Sequence, residues 1–256
     1  MLMIGAPQPC LTAVTFLART SGLDATHTNA YAALICGLVD DGIWTKLDAL
    51  YVFATQDQTT ANLNLVSTSL GISPQGSPTW TADRGYAGVE NGSGVYLFNN
   101  FTPSGTLFTT NNAHASVWSN SSGQSVGEQF SLFGGGGGII QIEARNTSDQ
   151  AKFFLNSTSG ITVTSTNGIG FFAVNMSGGN TLDAYKDGSS VGTLSIAASG
   201  SWGGPLPYLA SNNFPGTVVH GTGNQISAAS LGDSLTATEH ANLSSRVHTF
   251  MTAVGN

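Results

Sequence analysis

Residues 169–196, IGFFAVNMSGGNTLDAYKDGSSVGTLSI, decide the fold class. Three short runs stand in this stretch: IGFFAVNM (169–176), TLDAYK (181–186) and SVGTLSI (190–196). Runs of this length, rich in Val, Phe, Tyr and Thr and bounded by small polar residues, read as strands. Between the last two stands Asp187-Gly188, a pair that suits a type I′ hairpin because both central residues of that turn need positive φ. The same texture extends outward to VYLF (95–98), ASVWS (115–119), QFSLF (129–133), IIQIEAR (139–145), AKFFL (151–155) and ITVTST (161–166). YVFAT (51–55) reads as a buried strand. The glycine run 134–138 is a loop and not a phosphate cradle, because no Gly-Lys-Ser/Thr and no helix follow it.

Helical spacing is confined to the two ends. Thr28 is expected to cap a helix that carries Tyr31, Leu34, Ile35 and Leu38 on one face and stops at Gly42. Ile43, Trp44, Leu47 and Leu50 suggest a short helical turn after it. Near the end, Thr236 and Glu239 form a capping box, Leu243, Val247, Phe250, Met251 and Val254 form an apolar stripe, and Gly255 is the stop. The expected class is an all-β sandwich with an N-terminal and a C-terminal helix packed on it. Residues 1–25 read as an irregular arm suited to attachment, and residues 26–256 as a single domain that includes both helices.

Composition narrows the function. Only 8% of the 256 residues are charged, yet 40% are hydrophobic and 9% aromatic, which supports a packed core over disorder. A surface so poor in charge is built of hydroxyls and amides. A net charge of −7 with seven Lys and Arg excludes a phosphate-tracking surface, so no nucleic-acid partner is expected. No run of about 18 apolar residues could cross a bilayer, so no membrane insertion is expected. MLMIGAPQPCLTAVTF lacks the basic and apolar regions of a signal peptide. Two cysteines make no disulfide framework, and Cys36, within AALICGLV, reads as a buried thiol.

Three blocks carry a resemblance to a known family. AYAALICGLVDDGIWTKLDALYVFAT (30–55), SPTWTADRGYAGVENGSGVYLFNNFTPS (77–104) and SLTATEHANLSSRVHTFMTAVG (234–255) resemble, in that order, segments of phage and prophage virion proteins with a concanavalin-A-like, laminin-G-like jelly roll. ASVWS and DAYKDGSSVGT are similar to the Trp-bearing strand and late hairpin of laminin-G-like domains. The resemblance spans about residues 24–255 and implies a structural fibre, spike or decoration subunit on the virion surface, assembled in the bacterial cytoplasm. It further implies other virion proteins of capsid or tail as partners, a homo-oligomer such as a trimer, and host surface polysaccharide as a ligand. A dedicated lectin-like receptor-binding protein is the alternative reading, and a glycan depolymerase a more distant one. No cofactor is expected. Related domains hold calcium through Asp and Asn at a sandwich rim, which would fall to Asp83 and Asn91, although no EF-hand-type loop is present.

The residues themselves argue against catalysis. Glycoside hydrolysis needs two carboxylates roughly 5–10 Å apart, and no strand here carries acids at i, i+2 spacing. Glu143 and Arg145 suggest an ion pair on one face, and Asp187 is separated from Asp183 by belonging to the turn. There is no G-x-S-x-G elbow. His240 and His248 sit too far apart on one helix to share a metal, and His114 reads as a strand-end contact. For glycan or partner contact the candidates are Trp202, Tyr208, Asn212 and Asn213 in a Gly/Pro-rich loop, and Trp80, Asp83, Arg84 and Tyr86 in the TWTADRGY segment. The second group has a structural reading that ranks ahead of the functional one, with Asp83 and Arg84 ordering a crossover while the rings join the core. Trp118 reads as core.

Overall fold

The alternation within GFFAVNMS determines the layering. In the computed structural model, which describes residues 9–91, 94–101, 106–125, 130–132, 138–200, 207–209, 211–212, 218–219 and 221–256, this segment is a strand buried on both faces. Phe172, Val174 and Met176 enter one core and Phe171 and Ala173 a second. A strand whose two faces are both apolar needs a layer on each side, and the chain supplies a sheet on one and helices on the other.

In chain order the elements begin with α1 (Leu11–Leu17), α2 (Ala25–Asp40), a 3-10 turn at Trp44–Lys46, β1 (Leu47–Val52) and α3 (Gln58–Ala61). Then come β2 (Ser73–Gln75), β3 (Thr79–Thr81), β4 (Gly85–Ala87), β5 (Tyr96–Phe98), β6 (Ala113–Ser119) and β7 (Phe130–Leu132). The long strands are β8 (Ile139–Glu143), β9 (Gln150–Ser157), β10 (Ile161–Thr164), β11 (Gly170–Ser177), β12 (Thr181–Lys186) and β13 (Ser189–Ser195). The last elements are β14 (Pro207–Tyr208), β15 (Ser211–Asn212), β16 (Val218–Val219), β17 (Gln225–Gly232) and α4 (Ala237–Ala253).

The first sheet runs β13-β12-β11-β6-β17-β4-β3, with β1 also on β17; the second runs β10-β9-β8-β7-β14-β5-β2. β15 and β16 pair with each other. The two sheets face each other across Tyr51, Phe53, Val117, Ile140, Ile142, Phe153, Phe172 and Leu231, the arrangement of a jelly-roll sandwich. Each large side chain buried there contributes roughly 1.5–3 kcal/mol. On the far side of the first sheet, α2 and α4 cover Leu50, Val52, Phe171 and Ala173. Phe16, Tyr31 and Phe250 meet in sequence, the first pair tilted and the second edge-on, with centroids 4.9 and 4.8 Å apart.

Several expectations hold. Asp187 and Gly188 both have positive φ, at 50° and 80°. Thr236 and Glu239 make the capping box, and Gly42 and Gly255 take positive φ at the two helix ends.

Others are corrected. The N-terminal arm is not irregular over residues 11–17: α1 buries Ala13 and Phe16, and one turned apolar face is too short to show as a period. Cys36 is not a free thiol, because the packing of α1 on α2 brings its Cα within 5.6 Å of that of Cys10 and the two form a disulfide. α2 starts a turn earlier than expected, capped by Asp24, whose carboxylate accepts from His27 N. Leu47 and Leu50 lie in a strand rather than a helical turn, since pairing with β17 overrides their local preference. Glu143 pairs with Lys152 across the β8–β9 ladder, and Arg145 with Asp149, so the expected Glu143–Arg145 pair does not form.

Candidate functional site

Among the contact residues expected from the sequence, Tyr208 and Tyr86 are buried, and Trp80, Asp83 and the Arg84 backbone make contacts within the fold. Trp202 and Asn213 lie outside the described residues, and Asn212 is described only as part of β15. Tyr208 is not an exposed contact. Its strand lies between β7 and β5, so its ring enters the inter-sheet core with no exposed surface, edge-on to Tyr51 at 5.8 Å. Burial pushes its hydroxyl well above the ordinary phenol range. Tyr86 is likewise fully buried, its hydroxyl donating to Asn62 Oδ1 and accepting from Gln58 Nε2. Trp80 donates from Nε1 to the Phe53 carbonyl at 3.0 Å, and the Arg84 carbonyl accepts from Ser227 Oγ. Asp83 accepts from His27 Nε2. That carboxylate is thereby engaged, and among the described residues no three His, Cys, Asp or Glu side chains gather as metal ligands.

A cleft not foreseen from the sequence lies at the junction of the first sheet with α4. Its volume is about 500 Å³, within the range of small-molecule sites. Trp118 forms one wall because alternation along β6 sends Ala115 and Val117 to the inter-sheet core and Ser116 and Trp118 toward the helices. Ile169 and Gly170 form the adjacent edge, where the chain enters β11. Asp187 arrives at the tip of the β12–β13 hairpin, held by its backbone N–H on the Phe171 carbonyl and by its carboxylate accepting from Phe171 N, both at 2.8 Å. α4 supplies Ala241, Ser244, Ser245 and His248 from one face, at helical spacings of three and four. The hairpin tip is tight under the helix: a Cβ on Gly188 would sit 3.0 Å from Ala241 Cα.

The chemistry of the cleft is aromatic and hydroxylic. The Trp118 indole, 7% exposed, lies 5.7 Å from the His248 imidazole at an interplanar angle of 43°. Among the described residues its Nε1–H has no hydrogen-bond partner. Asp187 and His248 are exposed, Asp187 is the one carboxylate among the lining residues, and no Lys or Arg joins it. Ser245, His248 and Asp187 could suggest a hydrolytic triad. Among the described residues, however, no hydrogen bond joins a serine hydroxyl to His248 or His248 to Asp187, and a nucleophile is recognised by that bond.

No family model matches the sequence, and no curated protein matches it. Solved structures do. Domain 4 of an extracellular arabinanase from Geobacillus stearothermophilus, in complex with arabinotriose, aligns with a TM-score of 0.56 at 13% identity, over 78% of this chain and 98% of that one. A botulinum neurotoxin type C structure, described by cell entry through two ganglioside molecules, aligns at 0.53 and 10% identity, over 76% of this chain and 50% of that one. Trypanosoma rangeli sialidase with sialic acid aligns at 0.52 and 8%, over 80% and 34%. The likeness is one of fold. This chain therefore has the jelly-roll architecture of those domains, and spans about half of the neurotoxin chain and a third of the sialidase chain.

Proposed function

We propose that this protein is a non-catalytic, glycan-binding jelly roll displayed on a bacteriophage or phage-like particle, with the Trp118 cleft as its sugar site. The observation that carries the reading is the cleft itself: an indole wall for the apolar face of a sugar, with a carboxylate, hydroxyls and an imidazole for its hydroxyls. With Asp187 and no Lys or Arg among its described lining residues, the cleft favours neutral sugars over acidic ones. The arabinotriose bound to a domain of the same architecture supports a saccharide ligand. The resemblance of three sequence blocks to virion proteins supports the particle setting, as does the Cys10–Cys36 disulfide, which persists outside a reducing cytoplasm. Oligomerisation, with a trimer as the simplest case, would add avidity to weak single sites.

Calorimetric titration with neutral oligosaccharides of arabinose, glucose, galactose and mannose tests the site. Asp187→Asn and His248→Ala leave the core intact and should each weaken binding by about tenfold, near 1.4 kcal/mol. Absence of binding by the unaltered protein, or binding indifferent to both changes, overturns this site. Release of reducing ends from a bound polysaccharide would favour a glycan depolymerase. Antibody labelling of purified phage particles tests the setting.

A further inference from the structure

The outer face of the second sheet carries an arrangement independent of the Trp118 cleft. Along β5, Leu97 is fully buried in the inter-sheet core, so alternation turns Tyr96 and Phe98 to the opposite, solvent side. Both rings are half-buried and meet edge to face, with centroids 6.4 Å apart and an interplanar angle of 79°. The edge strand β2 pairs in a register that sets Gln75 opposite Tyr96 and Ser73 opposite Phe98. Cross-strand partners share a face, so an amide and a hydroxyl flank the two rings. Gln75 Nε2 donates to Ser73 Oγ at 2.9 Å, which fixes the amide beside them. With Gly71, Asn99 and Asn100 these residues line a depression of about 420 Å³.

Two properties identify what this depression fits. Paired rings present a π surface that suits the apolar C–H face of a sugar, while amides and hydroxyls both donate and accept as sugar hydroxyls require. Its described lining contains no carboxylate, ammonium, guanidinium or imidazole. A charged ligand would lose its hydration there without a compensating partner.

We propose that Tyr96, Phe98, Ser73 and Gln75 form a second saccharide site, for a neutral sugar chain, and that each protein chain is therefore bivalent. The bivalency rests on the reading of the Trp118 cleft as a sugar site; the Tyr96–Phe98 site does not. Trp118 opens on the helix side of the first sheet and Tyr96 on the outer side of the second, so both sheets stand between them. Stacked sheets are about 10 Å apart, and a short oligosaccharide cannot reach from one site to the other. Two separate glycan strands are bridged instead.

Calorimetry with neutral hexasaccharides of arabinose, glucose, galactose and mannose, and with sialyllactose as the acidic control, decides the matter. The expected result is about two hexasaccharides per chain, no uptake of sialyllactose, and loss of one site in Tyr96→Ser/Phe98→Thr, with Gln75→Ala weakening that site about tenfold. Gln75→Ala leaves both rings in place and so separates ligand contact from folding. A single site weakened about tenfold by Asp187→Asn but indifferent to Gln75→Ala and the ring variant overturns this inference and leaves the Trp118 reading standing. A single site abolished by the ring variant and indifferent to Asp187→Asn retains the Tyr96–Phe98 site and overturns bivalency. Uptake of no neutral hexasaccharide overturns both.

Discussion

Nε2 of His27 stands 2.8 Å from Oδ1 of Asp83, and this bond joins the first turn of α2 to the turn between β3 and β4. Nδ1 of the same ring stands 2.8 Å from Asp24 Oδ1, so the imidazole lies between two carboxylates, one within hydrogen-bond distance of each ring nitrogen. Burial by itself would lower its pKa, but the bonds to Asp24 and Asp83 outweigh burial and raise it. A raised folded pKa contributes stability that is fully present below the unfolded value near 6.5 and is lost as pH rises through the folded value. Asp83→Asn should cost about 1.5–3 kcal/mol at pH 6, the range for a hydrogen bond to a charged group, and much less at pH 9. Urea midpoints at the two pH values check this, and an equal cost at both would show that the ring is held neutral.

His114 acts in the opposite direction. Fully buried on β6, its Nδ1–H donates to the Asp233 carbonyl at 2.6 Å, and desolvation holds its pKa down at about 4. Below pH 6.5 the unfolded chain takes up a proton there that the folded chain refuses, so stability is lost as pH falls toward 4. Its share between pH 7.5 and pH 5 is about 2 kcal/mol. His240 is lowered by its own burial and by the proximity of His114, and adds loss in the same direction. Denaturant melts of His114→Gln should show a shallower fall between these pH values than the unaltered chain, and an unchanged slope would refute the assignment.

The Cys10–Cys36 bridge closes a loop with a sequence separation of 26 and fastens α1 to α2. By chain entropy a loop of this length stabilises by about 3.5 kcal/mol. Cys10→Ser/Cys36→Ser, or reduction of the native protein, should lower stability by about that amount while the sandwich remains folded, as measured by unfolding with and without reductant.

Gly188 has φ of 80°, and an added Cβ would lie 3.0 Å from Ala241 Cα and 3.2 Å from Ser244 Cβ. Gly188→Ala should therefore cost about 1–3 kcal/mol, and by lifting the hairpin from α4 should also weaken saccharide binding in the Trp118 cleft. Thermal melting and titration on the same variant check both effects.

Features written in neighbouring residues were legible in the sequence. Asp187-Gly188 specifies its turn, Thr236 with Glu239 its cap, and GFFAVNMS its strand, because each is decided by local chemistry. β17, QISAASLG, was not legible, although it lies at the centre of the first sheet. Ala, Ser and Gly have weak strand preference, and they occupy this position because both faces are covered, with Ser227 and Ser230 satisfied by the Arg84 carbonyl and the Ser116 hydroxyl. The Trp118 cleft escaped for another reason. Its walls come from β6, the β12–β13 turn and α4, and only folding brings them together. Tyr208 misled because a Gly/Pro-rich setting suggests an exposed loop, whereas its pairing partners are set by residues far along the chain.

The placement of β17 between β6 and β1 governs how the chain is made. During synthesis, β1 and β6 leave the ribosome well before residues 225–232, and until those emerge the middle of the first sheet has two open, apolar-faced edges. Such non-local pairing is slow and leaves a growing chain open to aggregation. A product of premature termination cannot close this gap and stays open to proteases.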